Sequence, residues 1–476
     1  MKKRENSSKL LAFFSLALFA LMSIYTPAAG AYSNNLTLNK STCLNPLGGI
    51  WSGSTCTIKN YIIDSTTDLS VPPSTWLRVR GTLTISGELD NSGNVTDVHK
   101  IIVGSGGYML NENAAEVRVN SNGTINVNGG GYFDNNGYIL NNNMITVNGN
   151  FTNGNSGVTT DHGTIQVKSG GKAVNAGILL LSYGGVMSVS NVFNNTGTGT
   201  VYDFSHIMVF GGGTINNKAG GLFVLFKEGS ILVNLNAIFN NAGIITSSGA
   251  DGGDNAIVNA GAFSNSGTIL TNGGFTNQKL GTLANSGTLR NRGTFKNWGT
   301  FSNSGLMTNP GNTYSQGTIT NSGNITSAGY FLNNGKFDTV ASGFVFNYGV
   351  MSNHLNMNNN GTLTNAGTLL NPGIFTNYGK VDNTAGIFDN AGPTNNVGDA
   401  ATISIQQNAS FLNRIGGTLN IFGGSVTNSG ALFNRGTTTV ASGAILTNNG
   451  VIFNPTYRNL DILGTFNGSG IVLPWD

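Results

Sequence analysis

The sequence predicts an all-β fold, a parallel β-solenoid, on three observations. From Gly281 ten glycines recur every sixth residue: Gly281, Gly287, Gly293, Gly299, Gly305, Gly311, Gly317, Gly323, Gly329 and Gly335. Two residues after each glycine the chain is apolar in nine of the ten hexads, from Leu283 and Leu289 through Phe337. Two residues further on, Asn stands in seven of the ten, including Asn285, Asn291, Asn297 and Asn303. A fixed short period of this kind marks a stacked-coil architecture. Glycine at every sixth position excludes helix. In a strand side chains alternate faces, so the apolar third residue points inward and the Thr, Ser, Lys or Arg beside it points out. Three hexads make one three-sided coil of about 18 residues. Most of the chain then gives roughly 20 coils and a rod on the order of 100 Å. The period leaves the hand of the coil open; frequent Phe at the inward position favours right-handed winding.

Each hexad position has a role. Glycine is expected at the corner, for the positive φ of a tight turn. The Asn has two readings: an inward amide stacked on the Asn of the next coil, which satisfies its hydrogen bonds, or a left-handed corner residue. Both are structural, because an amide is neither a general acid nor a general base.

The segments follow in chain order. Residues 1–31 read as a secretory signal peptide. Lys2, Lys3, Arg4 and Lys9 form a basic start, Leu10 to Met22 an apolar run, and Ala29-Gly30-Ala31 a small-residue cleavage site. The apolar run is short for a membrane span. Residues 32–75 read as an N-terminal cap. They hold the two cysteines, Cys43 and Cys56, which in an oxidising exterior most simply pair as one disulfide. Residues 76–450 form the solenoid, with an irregular insertion near 247–258. Residues 451–476 leave the register and are expected to be the C-terminal cap.

The formal charge of +3 comes from the first nine residues. Beyond residue 31, 19 basic residues balance 19 acidic ones. A nucleic-acid partner, which needs a basic footprint, is excluded by that balance. No later stretch is apolar enough for a membrane helix. With 39% hydrophobic residues and 26 Phe, the chain is not of the disordered class either.

Segments such as NSGTLRNRGTFKNWG (285–299), with the lead-in Gly81-Thr-Leu-Thr-Ile85, resemble the repeat region of secreted prokaryotic β-helix surface proteins of the filamentous-haemagglutinin type. The resemblance covers most of residues 80–450 and is one of repeat grammar. It implies a β-helix shaft at or outside the cell surface. The secretion-domain signature of those adhesins is missing: Asn45-Pro46-Leu47-Gly48 does not match it.

Candidate chemistry is sparse. His99, His162, His206 and His354 are far apart, and Asp161-His162 reads as a solvated loop. The best acidic pair is Asp251 and Asp254 in the insertion SSGADGGDNA, a candidate calcium or carbohydrate site; no other metal, catalytic or cofactor residue is assigned. Recurrent Thr-x-Thr segments, such as Thr318-Ile-Thr320, suggest a stacked Thr face, against which Arg290, Lys296 and Ala284 stand at the same hexad position. Beyond residue 31, ten N-x-S/T sequons, among them Asn94, Asn122 and Asn324, are glycosylation candidates. The expectation is a secreted or cell-surface structural or adhesive protein without catalytic activity. Its partners would be cell-envelope components, extracellular polysaccharide or other copies of itself. The competing reading is a carbohydrate-active β-helix enzyme, or a carbohydrate-binding protein, acting on extracellular polysaccharide.

Overall fold

The computed structural model describes residues 34–247, 256–454 and 460–474. Short strands, mostly of four residues, succeed one another along the chain, and each pairs in parallel with the strand three further on. The result is a β-solenoid of about 20 stacked coils with three faces. The first face is a 21-stranded sheet, from Asn34–Thr37 through Thr67–Val71 to Leu460–Ile462. The second runs from Thr55–Ile58 through Trp76–Val79 to Thr465–Asn467. The third runs from Tyr61–Ile63 through Thr82–Ile85 to Ile471–Pro474. Two long strands, Asn94–Val103 and Glu116–Val127, cross the corner between the second and third faces. The signal-peptide segment and the candidate pair Asp251 and Asp254 lie outside the described residues.

Within the short strands inward and outward positions alternate. In Thr318–Asn321 the second and fourth residues are buried and the others part-exposed. The inward apolar residues fill one continuous core running the length of the rod. A row of rings, Phe223, Phe239, Phe263, Phe275, Phe295 and Phe301, links six strands with centroids 4.9–5.7 Å apart. Phe239–Phe263 and Phe275–Phe295 lie on neighbouring strands about 4.8 Å apart, while the other three contacts cross the core from one face to another.

The coil is 18 residues long where the hexads are strict, as between Asn285 and Asn303. Elsewhere it is longer, 24 residues between Asn111 and Asn135. The extra residues sit in wider corners. At Asn128–Gly131 the amide of Gly131 donates to the Asn128 carbonyl at 2.9 Å, and Gly130 takes φ +78°. This is the turn that needs glycine's conformational freedom.

The ten register glycines have a different cause from the one expected. None has φ in the left-handed range. A Cβ on Gly305 would lie 2.1 Å from the carbonyl oxygen of Gly287, and one on Gly323 would lie 2.2 Å from that of Gly305. Corners stack directly on corners, and only a hydrogen atom fits between them. Contact between coils, rather than backbone curvature, excludes side chains there.

At the N-terminal end a short helix, Lys40–Leu44, is capped by Asn39, whose side chain accepts from the Thr42 amide at 3.0 Å. Cys43 and Cys56 form a buried disulfide that ties this helix to the first strand of the second face. The hairpin strand Ile50–Ser52 is antiparallel to Thr55–Ile58. Residues 460–474, expected to leave the register, instead add one more coil: Thr438 pairs with Leu460, Ile445 with Thr465 and Val451 with Ile471. The ladder bonding pattern carries on there, and Gly464 and Gly470 keep the six-residue spacing, each against a carbonyl of the coil below.

Candidate functional site: sealed amides inside, flat faces outside

The fifth-position Asn side chains point inward. On the first face twelve of them, from Asn91 to Asn321, join through eleven successive bonds of 2.7–2.9 Å. In each bond the amide NH₂ donates to the side-chain oxygen of the next coil. The second N–H of the group reaches a backbone carbonyl at the following corner, as from Asn153 to Ile178 at 2.9 Å and from Asn303 to Asn324 at 3.1 Å. Of the two readings of the Asn, the stacked one holds, and the same group also pins the corner. The left-handed reading fails for these residues: among the described residues, the only Asn with positive φ is Asn236, in a wide turn.

The third face changes character along the rod. Its inward fifth positions are Val103, Val127, Val147, Val167, Val189, Val209 and Val233, all buried. They then become Asn259, Asn277 and Asn297, bonded in series at 2.8 Å. After Ser315 a second series runs from Asn333 to Asn454.

Two carboxyl groups occupy fifth positions of the second face: Asp161, which the sequence places in a solvated loop, and Asp203, which it does not single out. Asp161 and Asp203 are each 0% exposed. The Asn141 amide donates to Asp161 at 2.5 Å, and the Ser205 backbone N–H donates to Asp203 at 3.0 Å. The second oxygen of each carboxyl has no hydrogen-bond partner. Burial pushes both groups up to about 7, because a charged form without water is costly. Asp161 is therefore no solvated loop residue; the strand Val158–Asp161 turns it into the core. The signal was available: Asp161 follows Val158-Thr-Thr where the grammar places an inward residue. Facing the core, neither group can touch a solvent-borne substrate.

The four histidines stay apart. His206 lies on the third face, its Nδ1 2.8 Å from Ser230 Oγ. His99 falls in the long strand Asn94–Val103, and His162 and His354 sit in corners. Among the described residues no three His, Cys, Asp or Glu side chains group as a metal site would require. The Thr-x-Thr segments disperse over the three faces. Thr318-Ile-Thr320 lies on the first, Thr362-Leu-Thr364 on the second and Thr82-Leu-Thr84 on the third. On the first face Thr282, Thr300 and Thr318 do stack, but Lys336 follows them.

Outward charges form local pairs. On the third face Asp389 takes a bidentate grip on Arg414, with one contact at 2.6 Å. Near the N-terminal end of the first face Asp68 and Asp90 are half-buried, and burial raises both carboxyls, with Glu112 adding to the effect on Asp90. The outward rows of the second face, in contrast, are uncharged and largely apolar from Tyr138 to Leu270.

What the fold and these positions define is a three-faced parallel β-solenoid with an amide-laddered core. No family model matches the chain, and no curated protein matches it. Among solved structures the chain is similar to a crystallised fragment of TibA hyper-glycosylated by TibC. The two are 16% identical, with 66% of this chain and 95% of that chain covered and a TM-score of 0.28. A TM-score that low lends no support to any further reading.

Proposed function

We propose that the protein is a secreted or cell-surface shaft, structural or adhesive rather than catalytic, of the filamentous-haemagglutinin-like repeat class. One observation carries the reading: the described chain spends nearly all its residues on one unbranched stack of coils. Strands about 4.8 Å apart make that stack on the order of 100 Å long. Solenoids of this kind act through extended surfaces rather than through a single cleft. The polar groups that could do chemistry in the core, Asp161 and Asp203, are sealed from solvent. The basic start and apolar run of residues 1–31 supply the export route in this reading, and an oxidising exterior suits the disulfide.

Immunogold microscopy of intact cells, with antibody to residues beyond 31, tests it. Label on the envelope or on filaments is expected. Label absent from cells, with soluble protein in the medium that releases products from acidic polysaccharides, would overturn it in favour of a polysaccharide-directed enzyme.

A further inference from the structure

We propose that the second face is a self-association surface on which two copies pack antiparallel, about a two-fold axis through Tyr202. On the seven successive coils from Tyr138 to Leu270, neither outward row of this face contains an acidic or basic residue. Ile178, Ile244 and Leu270 are at least 40% exposed. At the middle of the stretch the apolar surface continues round the corner onto Tyr183, Phe204 and Phe226; the Phe204 and Phe226 rings are stacked 3.9 Å apart.

The sequence along these rows is nearly its own mirror image. The fourth-position row reads Leu140, Thr160, Leu180, Tyr202, Val224, Thr246, Leu270. Tyr202 is the centre, and apolar and Thr positions repeat outward from it in the same order on both sides. The second-position row follows suit, with Val158 and Ile178 on one side of Thr200 and Leu222 and Ile244 on the other. A two-fold axis lying along the Thr200–Asp203 strand reverses the order of coils but keeps each row opposite itself. Leu180 then meets Val224 of the second copy, Thr160 meets Thr246, and Leu140 meets Leu270. A two-fold contact needs this self-complementary pattern.

Other features select a second copy as the occupant. Side chains rise from this face in straight rows, one per strand, about 4.8 Å apart. Another copy of the same face offers a matching repeat, and flat sheets pack face to face at about 10 Å. The stripe measures about 30 Å by 15 Å, on the order of 450 Å² per copy, which fits a weak dimer below about 1,200 Å² in total. The ends of the stripe are charged. The stripe is bounded by the ion pair of Glu116 with Arg118, at 2.7 Å, and by Arg290 one coil beyond Leu270. Because each row stays opposite itself, reversal sets Arg118 opposite Arg290 of the other copy and Glu116 opposite Thr288, so like charges close the contact at each end and confine it to the seven uncharged coils.

The proposal adds a partner to the shaft reading but does not depend on where the protein resides, so its failure would leave the cell-labelling result untouched. Sedimentation velocity of the purified protein over a range of concentrations, from about 1 to about 200 µM, should show a monomer–dimer equilibrium. Ile178→Lys or Leu222→Lys, both outward, should weaken it at least tenfold with the melting curve unchanged. Under mild oxidation Tyr202→Cys should cross-link to itself. Leu180→Cys should cross-link to Val224→Cys and not to itself. A monomer at every concentration, a dimer indifferent to both lysines, or self-linkage of Leu180→Cys as efficient as that of Tyr202→Cys would overturn the proposal.

Discussion

Replacing Asp161 or Asp203 by Asn tests the chemistry of the core directly. Each carboxyl has an ordinary value near 3.9 in an unfolded chain and is pushed up to about 7 in the folded one by burial. The folded state therefore holds a proton that the unfolded state releases, and stability falls as pH rises between about 4 and about 7. Below that window both states are protonated and the group costs nothing; above it the loss is complete. Three pKa units at about 1.4 kcal/mol each give about 4 kcal/mol per site. Opening of one coil to admit water provides a cheaper escape, so about 2–4 kcal/mol is the expected loss. Asparagine has the shape of the protonated acid and carries no proton to lose. At position 161 it also extends the amide contact from Asn141, which already donates there. Urea unfolding of the wild type, Asp161→Asn, Asp203→Asn and the double variant at pH 4 and pH 8 reads the effect. The variants should be markedly more resistant than the wild type at pH 8 and nearly equal to it at pH 4. The sites share a face but are separated by the Leu181 coil, so their effects should nearly add. A wild type equally resistant at both pH values, with no gain from either Asn, would refute the reasoning.

Other perturbations address the remaining parts of the coil. Asn153→Leu deprives the Asn135 amide of its acceptor and the Asn175 oxygen of its donor; the expected loss is about 2–4 kcal/mol in chemical unfolding. Gly305→Ala drives a methyl group into the Gly287 carbonyl and should lower the melting temperature sharply. Gly184→Ala, at φ +86° with open space around it, should cost only about 1 kcal/mol. Cys43→Ser with Cys56→Ser opens a loop of sequence separation 13 and should cost about 3 kcal/mol, fraying the N-terminal coil first in hydrogen exchange.

Much of the fold was legible because its grammar is local. A strand of four residues and a corner repeat in sequence, so Leu289 and Phe295 announce their inward direction without any long-range information. The Asn row was legible only as two alternatives. An amide at position five fits either a turn or a stack, and the choice depends on the coil below, which the period alone does not display. The role of the register glycines was misread for the same reason: the obstacle to a Cβ is the Gly287 carbonyl, one coil away from Gly305. Asp161 was misplaced in a loop and Asp203 passed over because an acidic residue is ordinarily outside, and their strands lie where valine and leucine have replaced the Asn hexad. The dimer stripe was hidden because its residues are about 20 apart in sequence and become a surface only when stacked.

The direction of the hydrogen bonds has a mechanical consequence. Backbone ladders and amide rows alike run along the rod, so a force applied between the two ends of the chain meets the coils in series, as a zipper does, rather than shearing them all at once. Each coil that peels away frees 18 to 26 residues, a length of about 60–90 Å when drawn out. The neighbouring coil keeps its own bonds until its turn comes. A rod on the order of 100 Å can thus lengthen more than tenfold in discrete yields before it parts, making it a shock absorber as much as a strut.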